Sequence, residues 1–520
     1  MLTPNTTIPS PNPLTLSFRF FLPFLLALAT LIPVALYPGD VAWLIDEPRL
    51  IANAFYSNQE FLPSASGLFG NFAVPYGPVP TQIYQLLLLL THNPFTLVIL
   101  RGLLCASLTA IGLLWLAKSL RIPLWFAIPF LISPNIIAFQ RILWDASFTI
   151  PLSALGLAAF ADFLKSSRPL SLRISLVATI LLPLNHPQSL PLALPIAAYL
   201  LWRHRPQISA DRLALSIIAS ILFILHFRYL GTVFNVIHYH LTQSVTHLQY
   251  PVKSPLFLSL LSPLLGGNLL SGFDYARSTA TPAGPTWLAL PFIYSSLLVY
   301  PLIWLGILFS LSRLPSTLRS LRSHSPISTP EIFSAILLLS LFLQFLLFSS
   351  LRIPPGPQYF FGTFSLHVAL AFLGLQFLQK FSLALPTSAL LLSTNTFLTA
   401  GTIITTHQSG FPLPGWPTMS SSSHAISQLN HYSDQSVYTD IHLFQRFPQP
   451  IRTLRLLSPP PPISSPPHGR LFLTYRQENH RPTGDLVVQE LPENLPLPPS
   501  SLLIEITPLP KNWVPDPQTW

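Results

Sequence analysis

The sequence is poor in charge and in sulfur. Its 520 residues include one cysteine and two methionines, and only 8% carry a charge, against roughly a quarter in an ordinary soluble domain. A single thiol, Cys105, excludes an intrachain disulfide framework, and it leaves the redox compartment unreadable from cysteine usage. No glycine-rich loop of the phosphate-cradling kind and no nucleotide-binding unit occurs, which points away from a nucleotide-linked substrate. No internal repeat of fixed period is visible.

What the chain has instead is apolar length. Half of its residues are hydrophobic and its mean hydropathy is +0.52, as in a polytopic membrane protein. The apolar runs reach the length of about 20 residues needed to cross a bilayer core as helix. Many of the 57 prolines mark their ends. The formal charge of +10 collects in short loops between these runs, so the excess reflects topology, and no nucleic-acid partner is expected.

Placing the basic loops inside sets a path. Residues 20–37 form an uncleaved anchor, and residues 39–93 form a first outside loop whose one basic residue is Arg49. Runs at 94–117, 123–138 and 147–164 then alternate across the membrane. The short runs 174–184 and 190–202, joined by Asn-His-Pro-Gln, read as a hairpin. One broken helix there would instead put Arg313, Arg319 and Arg322 outside. Runs at 213–230, 287–311, 332–350, 361–379 and 382–405 complete about eleven transmembrane helices. The expected fold is an all-α membrane domain over residues 1–405, followed by a small α/β extracytoplasmic domain over 406–520. In that second part RLFLTY, DLVVQEL and SLLIEIT have strand character, and SPPPPISSPP reads as a stiff extended loop.

The chemistry-bearing stretch is WLIDEPRLIANAFY, which follows the first apolar run. Asp46, Glu47 and Arg49 lie within one turn, with Asp46 and Arg49 on one helix face at i, i+3. Such a cluster can hold a proton acceptor beside an anion-binding group. It can equally be an interfacial turn with Asp46 capping a helix and Pro48 in its first turn. Residues 48–56 and 81–90 can each form a short helix along the interface. Asp145, in RILWDASF, is a second acid at the start of a span, where an N-cap role and a site role are compatible. His238, His240 and His247 lack a completing carboxylate or cysteine for a metal set. Asp274 is an outside acid in a loop.

These features together resemble the GT-C membrane glycosyltransferases, in the branch of the protein O-mannosyltransferases and the aminoarabinose transferases. The resemblance rests on the Asp46-Glu47 pair after the first span, Arg49 three residues on, Arg101 opening the second span and Asp145 opening the fourth. YGPVPTQIYQLL (76–87) looks like the family's proline motif, with Gly77 where a basic residue is usual, and RIPPGPQYFF (352–361) is similar to its late outside loop. The likeness covers residues 20–161 and 352–375.

The resemblance implies an inverting transfer of a sugar from a polyprenyl-phosphate donor to a glycan, lipid or protein acceptor on the outer face. Asp46, Glu47 and Asp145 would be the catalytic acids, with Asp46 the base. Arg49, Arg352 and Arg141 would hold the donor phosphate. Asp46 and Asp145 could share a divalent metal ion. The expected location is a bacterial inner membrane, with the N-terminus inside and the C-terminus outside. Two other classes fit less of the chain. A flippase for lipid-linked glycans would place ionisable residues at mid-bilayer depth between paired halves, and the spans are nearly free of them. A non-catalytic membrane-anchored scaffold, with a degenerate membrane part and a C-terminal domain that binds a partner, is the reading to which Gly77, in place of a basic residue, lends weight.

Overall fold

Long apolar runs without water around them satisfy their backbone groups only inside helices, and this is the form they take. The computed structural model describes residues 22–43, 46–65, 67–68, 76–204, 208–209, 211–242, 262, 264–273, 286–323, 328–351, 357–409, 418–430, 436–440, 448–457, 469–478, 481–497 and 501–505. A short apolar helix, α1 (Leu22–Ala35), comes first. Two helices of the first loop follow, α2 (Asp46–Gln59) and α3 (Val79–Leu88), then the long α4 (Pro94–Ser119). Among the described residues seven helices are long and apolar enough to cross a membrane.

The expected span at 123–138 is not one helix. It breaks into a 3-10 turn Leu124–Ala127, a single turn α5 (Ile128–Leu131) and α6 (Pro134–Arg141). Prolines 129 and 134 open the last two pieces, each lacking an N–H and fixing its φ. The break does not stop the chain from returning. Arg101 of α4 hydrogen-bonds Ser147, and a Cβ on Gly112 would strike Ala154 in the next long helix, α7 (Thr149–Ser166). The two helices therefore run in the same direction, and the broken segment leads back from the end of α4 to the level of Arg101. Its freed carbonyls are met from a later helix: Asn395 Nδ2 donates to Pro129 O at 2.8 Å and Thr399 Oγ1 to Ile132 O at 2.7 Å.

After a left-handed turn at Ser167, α8 (Pro169–Asn185) runs antiparallel to α7, and α9 (Leu190–Arg203) comes back. His186 at one end lies 4.4 Å from the ring of Tyr76, whereas His204 at the other lies 4.8 Å from Phe163 at the end of α7. The chain thus reverses at the 3-10 turn Pro187–Ser189, as a hairpin. The next helix, α10 (Arg212–Thr242), is much longer than the apolar run 213–230. It absorbs His238 and His240, while His247 and Asp274 lie outside the described residues. Leu213, Ile217, Ile221, Phe223, Ile224 and Phe227 stand exposed along it, a face suited to lipid rather than water.

The remaining membrane-length helices are α11 (Thr286–Ser295) continued by α12 (Val299–Arg322), α13 (Thr329–Leu351), α14 (Phe364–Gln379) and α15 (Ala384–Ser409). The expected basic loop after residue 311 is helical, because α12 carries Arg313, Arg319 and Arg322 in its last turns. Helices α12 and α14 pack through small residues. A Cβ on Gly306 would overlap the carbonyl of Leu370, and one on Gly374 the carbonyl of Leu302, so the backbones touch as in close membrane-helix pairs.

The C-terminal part is a four-stranded sheet, ordered β3-β2-β1-β4, with helices α16 (Met419–Leu429) and α17 (Pro448–Leu457). Strands β2 (Arg470–Glu478), β3 (Arg481–Leu491) and β4 (Ser501–Glu505) fall on the three strand-like pieces of the sequence. The fourth strand, β1 (Ser436–Asp440), runs parallel to β2 and antiparallel to β4. The polyproline insert lies outside the described residues.

Among the described residues this part shares its core with the first loop. Trp43, Leu50, Ile51 and Tyr84 of the first loop and its helices share one buried cluster with Met419, Ile426, Leu429, Leu454, Leu473 and Leu486. Ala42 and Thr418 form an antiparallel bridge, the Met419 N–H donates to Val41 O at 3.0 Å, and Thr453 Oγ1 donates to Pro48 O at 3.2 Å.

Replacing Gly306 or Gly374 by Leu inserts a branched side chain between backbones in contact, an overpacking that costs roughly 1–3 kcal/mol or more. The expected result is a drop of several degrees in the unfolding temperature of the detergent-solubilised protein. Gly231→Leu, at an exposed glycine with nothing within 4 Å of its Cβ position, is the control that leaves it unchanged.

Candidate functional site

Helix α2 begins at Asp46 and carries Pro48 and Arg49 in its first turn, so the carboxylate and the guanidinium share a face. Burial pushes the Asp46 pKa above the ordinary carboxylate value, while the Arg49 cation and a hydrogen bond from the Trp144 side chain pull it down; burial wins. Glu47 and Arg49 are themselves buried.

Asp145 comes to the same place from the other side, at the end of the broken segment. It caps the 3-10 turn Ala146–Phe148 that leads into α7, its Oδ1 accepting from the Ala146 N–H at 2.6 Å. The backbone N–H of Leu68 also donates to this carboxyl. Oδ2 has no hydrogen-bond partner among the described residues. The side chain is wholly buried. Burial, and then the negative charge of Asp46, push its pKa up to about 8. Asp145 is therefore the member of the pair that holds a proton at neutral pH, its charged form disfavoured by burial and by the nearby Asp46.

Arg101 fixes this geometry. A wholly buried guanidinium within an apolar helix is costly unless its donors are engaged, and here its two amino groups hold the segment that carries Asp145. One amino group donates to Phe139 O at 3.1 Å and to Gln140 O, the other to Trp144 O at 3.3 Å and to Ser147 Oγ. The guanidinium also sits 4.8 Å from the centre of the Phe148 ring.

Tyr84 of α3 closes the cluster. It feels the charges of Arg101, Glu47 and Asp145, burial raises its pKa, and its hydroxyl has no hydrogen-bond partner among the described residues. Its ring stands edge-on to Phe148, centroids 5.5 Å apart.

The structure thus gathers Asp46, Glu47, Arg49 and Asp145 around Trp144 and Tyr84. Arg141 is turned to a different task. Its guanidinium donates to Leu36 O at 2.6 Å and Tyr37 O at 2.9 Å, and its charge is felt by Asp40, which pairs with His407 at 3.0 Å. Arg352 lies outside the described residues. Gly77, where the resemblance leads one to expect a basic side chain, lies against the backbone of Leu184 and Asn185 so closely that any Cβ would overlap it. Among the described residues no group of three or more His, Cys, Asp or Glu could hold a metal ion.

Sequence spacing did not reveal Tyr84, Trp144 or the clamping role of Arg101. Only Arg101 left a signal, as a cation inside a 26-residue apolar helix.

Two measurements test the arrangement. Arg101→Met keeps the volume and removes the hydrogen bonds, leaving buried carbonyls unpaired at about 1–3 kcal/mol each. The expected outcome is a loss of stability of that order, read as a lower unfolding temperature. For Asp145, a folded pKa of about 8 against about 3.9 in the unfolded chain means that the folded state holds the extra proton between those values. The stabilisation is complete below about pH 4 and is lost as the pH rises through about 8, at up to roughly 1.4 kcal/mol per pH unit. Asp145→Asn abolishes this contribution, so unfolding temperatures measured from pH 4.5 to 8.5 fall less steeply in the variant. In comparison with known proteins, no family model matches this chain and no curated protein matches it.

Proposed function

We propose that the chain is an integral membrane glycosyltransferase of the GT-C kind, moving a sugar from a polyprenyl-phosphate donor to an acceptor at the outer membrane face. One observation carries the reading: two carboxyl groups in electrostatic contact, half-buried Asp46 and buried Asp145, beside a guanidinium, Arg49, in a helical protein with lipid-suited surfaces. Unequal environments give the two acids unequal roles.

In the reaction an acceptor hydroxyl attacks the anomeric carbon. Its oxygen forms the new C–O bond, the bond from that carbon to the phosphate oxygen breaks, and configuration inverts. Asp46, ionised, takes the proton of the hydroxyl. Asp145, protonated, donates a hydrogen bond through its otherwise unpartnered edge. Arg49 faces the negative charge that grows on the departing lipid phosphate. The apolar surface keeps the prenyl chain in the bilayer while the sugar reaches the polar cluster. Span count, orientation, and bacterial inner-membrane residence belong to this reading.

The test is sugar transfer by the full chain in lipid nanodiscs from a panel of radiolabelled polyprenyl-phosphate sugars. Asp46→Asn is expected to lower the turnover by about 10²–10⁴-fold while donor binding and unfolding temperature persist. Full activity of Asp46→Asn overturns its role as base, and a wild-type protein that transfers none of the sugars overturns the activity.

A further inference from the structure

A second polar locus lies at the reversal between α8 and α9, in a stretch otherwise rich in leucine and proline. Asn185 is wholly buried, and neither its Nδ2 nor its Oδ1 has a hydrogen-bond partner among the described residues. The fold does not need this side chain. Helix α8 is closed by the His186 N–H donating to Leu182 O at 2.9 Å, and the following turn by the Ser189 N–H and hydroxyl donating to His186 O at 3.0 and 2.7 Å. A leucine would fill a similar volume without burying an amide, so an unsatisfied amide here calls for a role.

His186 stands beside it. It is nearly buried, its ring makes no hydrogen bond among the described residues, and burial pushes its pKa down to about 3. The imidazole is therefore neutral, with one donor and one acceptor nitrogen.

The locus is joined to the acid cluster by a two-rung backbone pair. The Gly67 N–H donates to Tyr76 O at 2.9 Å and the Tyr76 N–H to Leu68 O at 2.6 Å. On one side of this pair, Leu68 N–H meets the carboxyl of Asp145. On the other, the Tyr76 ring lies on His186 and Gly77 abuts Asn185. Gly362 packs on Ser189, and its 3-10 turn Pro357–Thr363 also touches the turn that follows Asp145.

We propose that Asn185 and His186 form a hydroxyl-recognising subsite that hydrogen-bonds the sugar ring of the lipid-linked donor. The inference rests on the glycosyltransferase reading and deepens it. Two amide donors, an amide acceptor and a neutral imidazole match adjacent sugar hydroxyls, each both donor and acceptor. They carry no charge that would compete for the phosphate. The subsite selects the sugar, and the acid–arginine cluster handles the bond that breaks.

The experiment measures binding of undecaprenyl phosphate and of undecaprenyl-phosphate-linked hexoses and pentoses to the full chain in nanodiscs, together with unfolding temperature. Wild type is expected to bind at least one sugar-linked lipid more tightly than the bare phosphate. Asn185→Leu should unfold at the same or a higher temperature, bind the bare lipid phosphate as wild type does, and lose about tenfold or more of its affinity for the sugar-linked lipid. His186→Phe, which keeps a ring against Tyr76, carries the same test where the leucine variant does not fold. Unchanged sugar preference in the folded variant, or an equal loss for both lipids, overturns the subsite alone. A wild-type protein that makes no distinction between sugar-linked and bare lipid overturns the glycosyltransferase reading, and the subsite with it.

Discussion

A positive charge buried in an apolar helix has to be solvated by the protein, and Arg101 is the group on which this structure most depends. Among the described residues its hydrogen bonds go to no carboxylate; three backbone carbonyls and the Ser147 hydroxyl take that place. Carbonyl dipoles can do this only if they converge: Phe139 and Gln140 offer theirs from the last turn of α6, and the chain leaves regular helix after Arg141 to bring in Trp144 and Ser147. The irregular stretch that carries Asp145 is thus the counterpart of a buried cation, and its shape is set by how a guanidinium distributes its N–H groups.

The same logic runs through the neighbourhood. Each polar element around Asp46 and Asp145 is fixed by something apolar or by backbone packing: Trp144 by its place in the clamped segment, Gly77 by contact with α8, and α2 by the cluster it shares with α17. Because water is displaced from this region, small differences in surroundings separate two chemically similar carboxyls by their protonation. A cluster of this kind keeps its acids apart in character without needing a third titratable group to do so.

Much of this was legible in the sequence. Asp46, Arg49 and Asp145 stood out because charge is scarce in the chain, and helical spacing put the first two on one face. The hairpin at 174–202 followed from where arginines sit. The broken return segment was less visible, since an apolar run reads as a span whether or not Pro129 and Pro134 interrupt it. Tyr84 and Asn185 left no trace, because a tyrosine or asparagine among leucines looks alike whether its polar atoms are satisfied or not. The shared core with the C-terminal sheet was hidden for a different reason: it depends on contacts between residues some 400 positions apart, and no local pattern records them.

That separation has a consequence for biogenesis. Pro48 and Thr453 meet across 405 residues, so the first loop cannot acquire its covering core until nearly the whole chain has been made. At about 5–20 residues per second of synthesis, the loop bearing Asp46 waits on the order of 20–80 s, half-built, while later helices enter the membrane. A prematurely ended chain would carry every acid of the cluster and lack the wall behind it. Assembly of this cluster is in this way tied to completion of translation, and a truncated product is left with the apolar face of its first loop uncovered.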